Sequence, residues 1–151
     1  MTKSEDEAAI VFKPGDIVEI DLPDGFCYVQ VTHHHVSYPE VVRAIGGRHS
    51  GRPDIGLLAT GETRFHALFP LSAACRSGRI GARRIGDAAI PEPDRAFPRF
   101  KMPVKGKRGE LLYWWLWDGD GLTYESDPAT DTSDLPLRKI LTFEELVERF
   151  D

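Results

Sequence analysis

Lys13-Pro-Gly-Asp-Ile-Val-Glu-Ile-Asp-Leu-Pro-Asp-Gly-Phe-Cys-Tyr-Val-Gln-Val31 decides the fold class. Val18, Ile20 and Leu22 alternate with Glu19 and Asp21, the period of two that marks a strand. Pro23-Asp24-Gly25 then reads as a turn: proline presets φ at one corner, aspartate tolerates the next, and glycine supplies positive φ. Cys27, Val29 and Val31 alternate again on the return. The stretch is therefore a β-hairpin, with strands expected over Phe12–Leu22 and Phe26–His34. A third strand over Tyr38–Ile45, centred on Val41 and Val42, extends it to a meander, the usual beginning of a small barrel or a strongly bent sheet.

Further along, Gly46–Gly61 reads as a loop with a short strand at Ile55–Ala59. Arg64–Leu71 is apolar around Phe65, Leu68 and Phe69, and Pro70 ends any helix there. Ser72–Arg76 can form one helical turn, stopped by Gly78. Arg79–Ile90 reads as an irregular strand. Pro91–Pro103 holds Pro91, Pro93, Pro98 and Pro103 around Phe97 and Phe100, which predicts an extended crossing segment. Glu110–Trp117 is a second strong strand, with Leu112, Trp114 and Leu116 on one face and Tyr113, Trp115 and Trp117 on the other. Asp118-Gly-Asp-Gly121 is a hairpin turn, and Leu122–Glu125 returns from it. Ser126–Pro136 is a polar, acidic loop. The clearest helix follows. Thr142 and Glu145 have capping-box spacing, Leu141 and Leu146 form the staple, and Phe143, Leu146, Val147 and Phe150 make one apolar stripe.

The chain has 151 residues, 14 glycines and 11 prolines, which favours short strands within a single domain. The expected organisation is a polar tail over residues 1–11 and one mainly β (α+β) domain over residues 12–151. In that domain a strongly bent antiparallel sheet, or a partly open SH3-like barrel, carries the C-terminal helix packed on it. The net charge of −5 argues against a general nucleic-acid binder, which needs lysine and arginine on its binding face. It suits a basic protein partner. Cys27 and Cys75 are the only cysteines and have no CxxC spacing; they read as small apolar residues in a reducing compartment. The N-terminus lacks the pattern of a signal peptide, and no run approaches the roughly 18 apolar residues of a membrane span. A cytoplasmic protein is expected.

Candidates for chemistry are few. His33-His34-His35 carries imidazoles, but adjacent strand residues point to opposite faces, so only His33 and His35 can share one. No spacing selects His49, His66 or a carboxylate as a further ligand. Asp118-Gly-Asp-Gly lacks the longer ligand series of a calcium loop. Gly78, Gly81 and Gly86 lack the Gly-Lys-Ser/Thr of a phosphate loop. Cys27, Cys75, Ser72 and Ser77 sit in no nucleophile elbow. A basic segment, Arg76–Arg84, with Arg76, Arg79, Arg83 and Arg84, supports the alternative of a small-ligand or nucleic-acid binding barrel. No aromatics interleave with these arginines for base stacking. Tyr113–Trp117 is bulky on both faces, so one face needs a cover: the C-terminal helix, the proline segment or another protein.

Phe12–Val31, with Gly15-Asp16-Ile17 and Ile20-x-Leu22-Pro23-Asp24-Gly25, resembles the opening of immunity-protein family 26 of bacterial polymorphic toxin systems. Phe97-Pro-Arg-Phe100 and Trp115-Leu-Trp-Asp-Gly119 are similar to that family's second half. Asp21 stands where that family's pattern expects a proline, and the Val29–Gln30 step where it expects a glycine. The resemblance implies a β-dominated, non-enzymatic domain that binds and neutralises a protein toxin, with no catalytic residue, metal or cofactor. On that reading an aromatic patch supplies affinity and acidic groups supply steering. The expected contact residues are Tyr113, Trp115, Trp117, Asp118 and Asp120.

Overall fold

A computed structural model of the chain describes residues 10–151. The expected tail, apart from Ile10 and Val11, lies outside the described residues. The fold is mainly β: among the described residues, eight strands form two antiparallel sheets, with short helices. The chain divides into two compact units. One comprises the described residues up to Arg95 together with Ile140–Asp151; the other is Ala96–Lys139.

In the first unit β1 (Asp16–Leu22), β2 (Gly25–His33), β3 (Val41–His49), β4 (Thr63–Leu68) and β5 (Ala82–Asp87) form a sheet of order β4-β3-β2-β1-β5. The edge strands β4 and β5 do not pair with each other, so the sheet stays open. Register shifts at Ile17/Val18 and within β2–β3 and β3–β4 bend it, as bulges do. The opening hairpin has the expected pairing, Ile20 with Cys27 and Leu22 with Gly25 across Pro23-Asp24. Gly25 is required by a close approach: a Cβ there would meet the His49 carbonyl oxygen at 2.2 Å.

One sheet face carries Val18, Ile20, Cys27, Val29, Val31, Val42 and Ala44, all fully buried. Three pieces cover it. Phe12 comes from the entry turn, and α2 (Leu71–Arg76) brings Leu71 and Ala74. The third is α3 (Phe143–Arg149) with its cap residue Phe150; together they bring Leu146 and Phe150. The sequence reading of α3 is met in detail. Thr142 Oγ1 accepts from the Glu145 N–H at 3.1 Å, and Glu145 Oε1 accepts from the Thr142 N–H at 3.0 Å. Leu141 and Leu146 are both buried as the staple. A helix this short is marginal alone; complete burial of Leu146 contributes about 1.5–3 kcal/mol.

The opposite face is covered by α1 (Ile55–Ala59), through Leu58 and Ile55 packed on Ile17, Tyr28 and Ile45. Here the expected strand at Ile55–Ala59 is corrected to a helix. Asp54 has extended backbone and its side chain accepts from the Leu57 N–H, so it is an N-cap that starts a turn directly after Pro53. β3 also runs past the expected Ile45, through Gly46 and Gly47 to His49.

In the second unit β6 (Phe100–Lys105), β7 (Leu111–Trp117) and β8 (Leu122–Glu125) form a meander of order β6-β7-β8. The expected crossing segment Pro91–Pro103 is corrected: it holds a 3-10 turn at Glu92–Asp94 and, from Phe100, a strand. Pro103 is tolerated because of where its nitrogen points. Lys101, two residues earlier, uses its outer edge to donate to Pro136 O and accept from the Arg138 N–H. Pro103 therefore turns its nitrogen to the same outer side, where no ladder bond is lost.

Candidate functional site

The two faces of the β6-β7-β8 sheet differ. Lys101, Trp114 and Leu116 share one face by strand alternation. Lys101 Nζ lies 5.3 Å from the Trp114 ring centre and donates to the carbonyl of Thr132 at 2.6 Å. The loop between β8 and Pro136 therefore lies against this face. The Trp114 indole N–H is buried there without a hydrogen-bond partner.

The other face carries Tyr113, Trp115 and Trp117 from β7 and Leu122 and Tyr124 from β8. The register pairs Trp115 with Tyr124 and Trp117 with Leu122. Three rings cluster at one end: Tyr113–Tyr124 centroids lie 4.8 Å apart, Trp115–Tyr124 5.6 Å and Tyr113–Trp115 6.2 Å. Tyr124 is 56% exposed and Leu122 50%; Tyr113 and Trp115 are half-buried.

Trp117 lies apart from this cluster. It is only 6% exposed, held between Phe97 at 5.2 Å and Phe100 at 5.7 Å, with the Arg138 guanidinium 4.9 Å above its ring. The proline segment thus covers Trp117, while α3 packs on the first unit's sheet. Of the five expected contact residues, Tyr113 and Trp115 come together at the surface and Trp117 belongs to the core of its unit. Tyr124 and Leu122 were missed. The signal for them was present, because a two-residue turn within Asp118–Gly121 fixes which residues of β8 face Trp115 and Trp117.

Asp118 closes that turn. Its Oδ1 accepts from the N–H groups of Asp120 at 3.0 Å and Gly121 at 2.8 Å. These bonds, the one from Gly121 first, hold its carboxyl below the usual range, so it stays ionised. Asp131 is also held low, first by the Ser133 side chain and then by its backbone N–H. From Asp118 to Asp134 the chain carries Asp118, Asp120, Glu125, Asp127, Asp131 and Asp134 and no lysine or arginine. The aromatic cluster thus adjoins this acidic segment through Tyr124, while Tyr113 stands opposite Val104 beside the basic turn of Lys105, Lys107 and Arg108.

The basic segment reads differently in three dimensions. Arg83 pairs with Glu19 and Asp21, Arg84 with Asp16 and Asp87, and Arg76 donates to the Ile10 carbonyl. The register explains the first pairing, since Glu19 stands opposite both Tyr28 and Arg83. Arg52 reaches the same carboxylate with two bonds, and the Tyr28 hydroxyl donates to it at 2.8 Å. Glu19, 2% exposed, is lowered to about 2, chiefly by Arg52 and against the cost of burial. Arg52, Arg83 and Arg84 spend their charge within the chain.

A second buried polar group lies on the same sheet face. Arg43 is fully buried and donates to Gln30, to the carbonyls of Ala59 and Gly61, and to Thr63. It so caps the C-terminal end of α1. Thr63 donates to Asp94 at 2.8 Å. His66 Nε2 lies 2.9 Å from Asp94 Oδ1. Burial pushes His66 below its usual value although Asp94 opposes this, so the ring is neutral near pH 7.

No family model, curated protein or solved structure matches this chain. The three consecutive histidines do not converge. His33 contacts Thr32 Oγ1 and the Arg95 carbonyl, His34 the Phe12 carbonyl, and His35 accepts from the Ser37 N–H. Among the described residues no three His, Cys, Asp or Glu side chains are grouped to hold a metal ion. Cys27 is fully buried, and burial pushes its thiol up to about 12. Cys75 donates to the Ala82 carbonyl. No helix among the described residues is long and apolar enough to cross a membrane.

Proposed function

We propose that this chain is a non-enzymatic binding protein whose contact surface is the aromatic face of the β6-β7-β8 sheet. The partner is a basic protein. One observation carries the reading: a three-ring surface cluster of half-buried Tyr113 and Trp115 with exposed Tyr124, and Leu122 beside it, adjoins the stretch from Asp118 to Asp134, which carries six acidic residues and no lysine or arginine. Aromatic side chains with large contact area and low entropy cost are the usual anchors of protein interfaces, and flanking charge of one sign steers an oppositely charged partner. The internal pairing of Arg83 and Arg84 disfavours the basic-segment alternative.

The resemblance of residues 12–31, 97–100 and 115–119 to immunity-protein family 26 supports a toxin as that partner. The chain is then an immunity protein that occludes a toxin produced by its own or a neighbouring cell, and it acts in the cytoplasm. The test is toxin neutralisation. The chain is co-expressed with the toxin domain encoded beside its gene, as wild type and as Trp115→Ala and Tyr124→Ala variants of native circular dichroism. Wild type restores growth and binds the toxin, and both variants lose most of that binding. Full retention of binding by both folded variants, or failure of wild type to restore growth, overturns the proposal.

A further inference from the structure

The two sheets have four edges, and three are guarded. The outer edge of β6 is taken by Pro136 and Arg138 around Lys101, and it carries Pro103. At β4, the Leu68 carbonyl accepts from the Leu141 N–H and bridges to Ile140. β5 is bulged against β1 and carries Arg83 and Arg84. Bulges, charges, proline and covering segments are the ordinary ways to protect an edge from another strand.

β8 has no bulge, no proline and no covering segment among the described residues, and its one charge is Glu125 at its far end. The Asp118 N–H donates to Gly121 O at 3.2 Å, which makes residues 118 and 121 a bonded pair. Bonded and non-bonded pairs alternate along an antiparallel ladder. Pairing of Trp117 with Leu122, Leu116 with Thr123 and Trp115 with Tyr124 therefore puts Leu122 and Tyr124 at non-bonded positions. Their N–H and C=O groups point away from β7, and no bond to them is made among the described residues. Residues 121–124 are all exposed. The strand contains no lysine and no proline, and its two outward-bonding residues also present the exposed Leu122 and Tyr124 side chains.

We propose that β8 is a strand-addition site for an extended, lysine- or arginine-bearing segment of a protein partner. The segment extends the sheet from three strands to four. Its apolar side chains lie over Tyr124 and Leu122, and its cations face Asp120, Glu125 and Asp127. Charge selects this occupant over a second copy of the chain, because pairing β8 with β8 would bring two acidic segments together. Backbone bonds supply affinity in such sites and alternate side chains supply specificity. The inference rests on the aromatic surface proposed above as the binding face and adds the geometry of docking.

The probe is a fluorescent octapeptide of alternating lysine and valine, with a glutamate–valine peptide as charge control. Leu122→Pro removes an N–H that the β7–β8 ladder does not use; Leu122→Ala removes the side chain alone. The lysine peptide binds wild type, and binding falls about tenfold or more with Leu122→Pro, the scale of one or two lost backbone bonds. Leu122→Ala loses much less, and the glutamate peptide does not bind. On wild type the peptide slows exchange of the Leu122 and Tyr124 amides, a readout independent of how the proline variant folds. Absence of binding, unslowed exchange of both amides, or equal binding by Leu122→Pro with Thr123 still protected overturns strand addition. A concentration-dependent dimer that Leu122→Pro dissolves also overturns it, in favour of self-pairing. A toxin lost with Trp115→Ala but retained by Leu122→Pro leaves the aromatic surface standing and removes only the edge.

Discussion

Replacing Glu19 with glutamine keeps the shape of a side chain that is 2% exposed and removes the one charge on which Arg52, Arg83 and the Tyr28 hydroxyl converge. The carboxyl is lowered from an ordinary 4.5 to about 2, with the Arg52 bonds as the largest cause and burial opposing them. At about 1.4 kcal/mol per pH unit, that difference corresponds to about 3 kcal/mol of stability. The sign follows from the direction. A carboxyl whose folded value is depressed contributes fully above its unfolded value of 4.5, and the contribution disappears as pH falls toward 2. Urea unfolding followed by circular dichroism is the assay, run on both proteins between pH 7 and pH 2.5. Glu19→Gln is expected to be less stable by about 3 kcal/mol at pH 7, with an unchanged denaturant slope. The difference narrows steadily below pH 4.5, because the unfolded chain then takes up a proton at this carboxyl while the folded one, lowered to about 2, still holds its charge. A loss below about 1 kcal/mol at pH 7, the level of an exposed ion pair, refutes the argument. So does a difference that does not shrink with acid.

Three further outcomes are expected. Thr142→Ala removes the hydroxyl half of the capping box and should cost about 1 kcal/mol, seen as a lower melting temperature without change in far-UV dichroism at 25 °C. Trp117→Ala empties the space between Phe97, Phe100 and Arg138 and should cost about 3–5 kcal/mol. Amide exchange should rise in β6-β7-β8 and stay slow in β1-β2-β3. At pH 8 iodoacetamide should label the half-buried Cys75 in the folded protein and leave Cys27 untouched until urea is added, because the Cys27 thiol is buried and pushed up to about 12; peptide mass spectrometry reads both sites.

The parts of the fold legible in the sequence were those specified locally. Alternation around Pro23-Asp24 gave the opening hairpin, and Thr142 with Glu145 gave the start of α3. What was hidden depended on partners distant in sequence. Glu19 alternates with buried residues and so reads as solvent-facing. It is buried because Arg52 and Arg83, 33 and 64 residues away, close over it. Arg43 is hidden for the same reason, since the α1 carbonyls that receive it exist only once Asp54 has turned the chain. Pro103 argued against a strand because the sequence does not show which edge its nitrogen will face. The aromatic surface was half legible. Tyr113 and Trp115 follow from alternation, Tyr124 from the hairpin register, but the burial of Trp117 depends on Phe97 and Arg138.

The apolar face of the five-stranded sheet is closed partly by Leu141, Leu146 and Phe150, which follow the whole of the second unit in the chain. Biosynthesis therefore meets the pieces in an order that differs from their architecture. Ala96–Lys139 has every strand of its own sheet before the ribosome has made the helix that shields Val29 and Val42. During that interval the emerging chain carries an apolar sheet face without its last cover, and β1-β2-β3 is the region where a holding chaperone has most to protect.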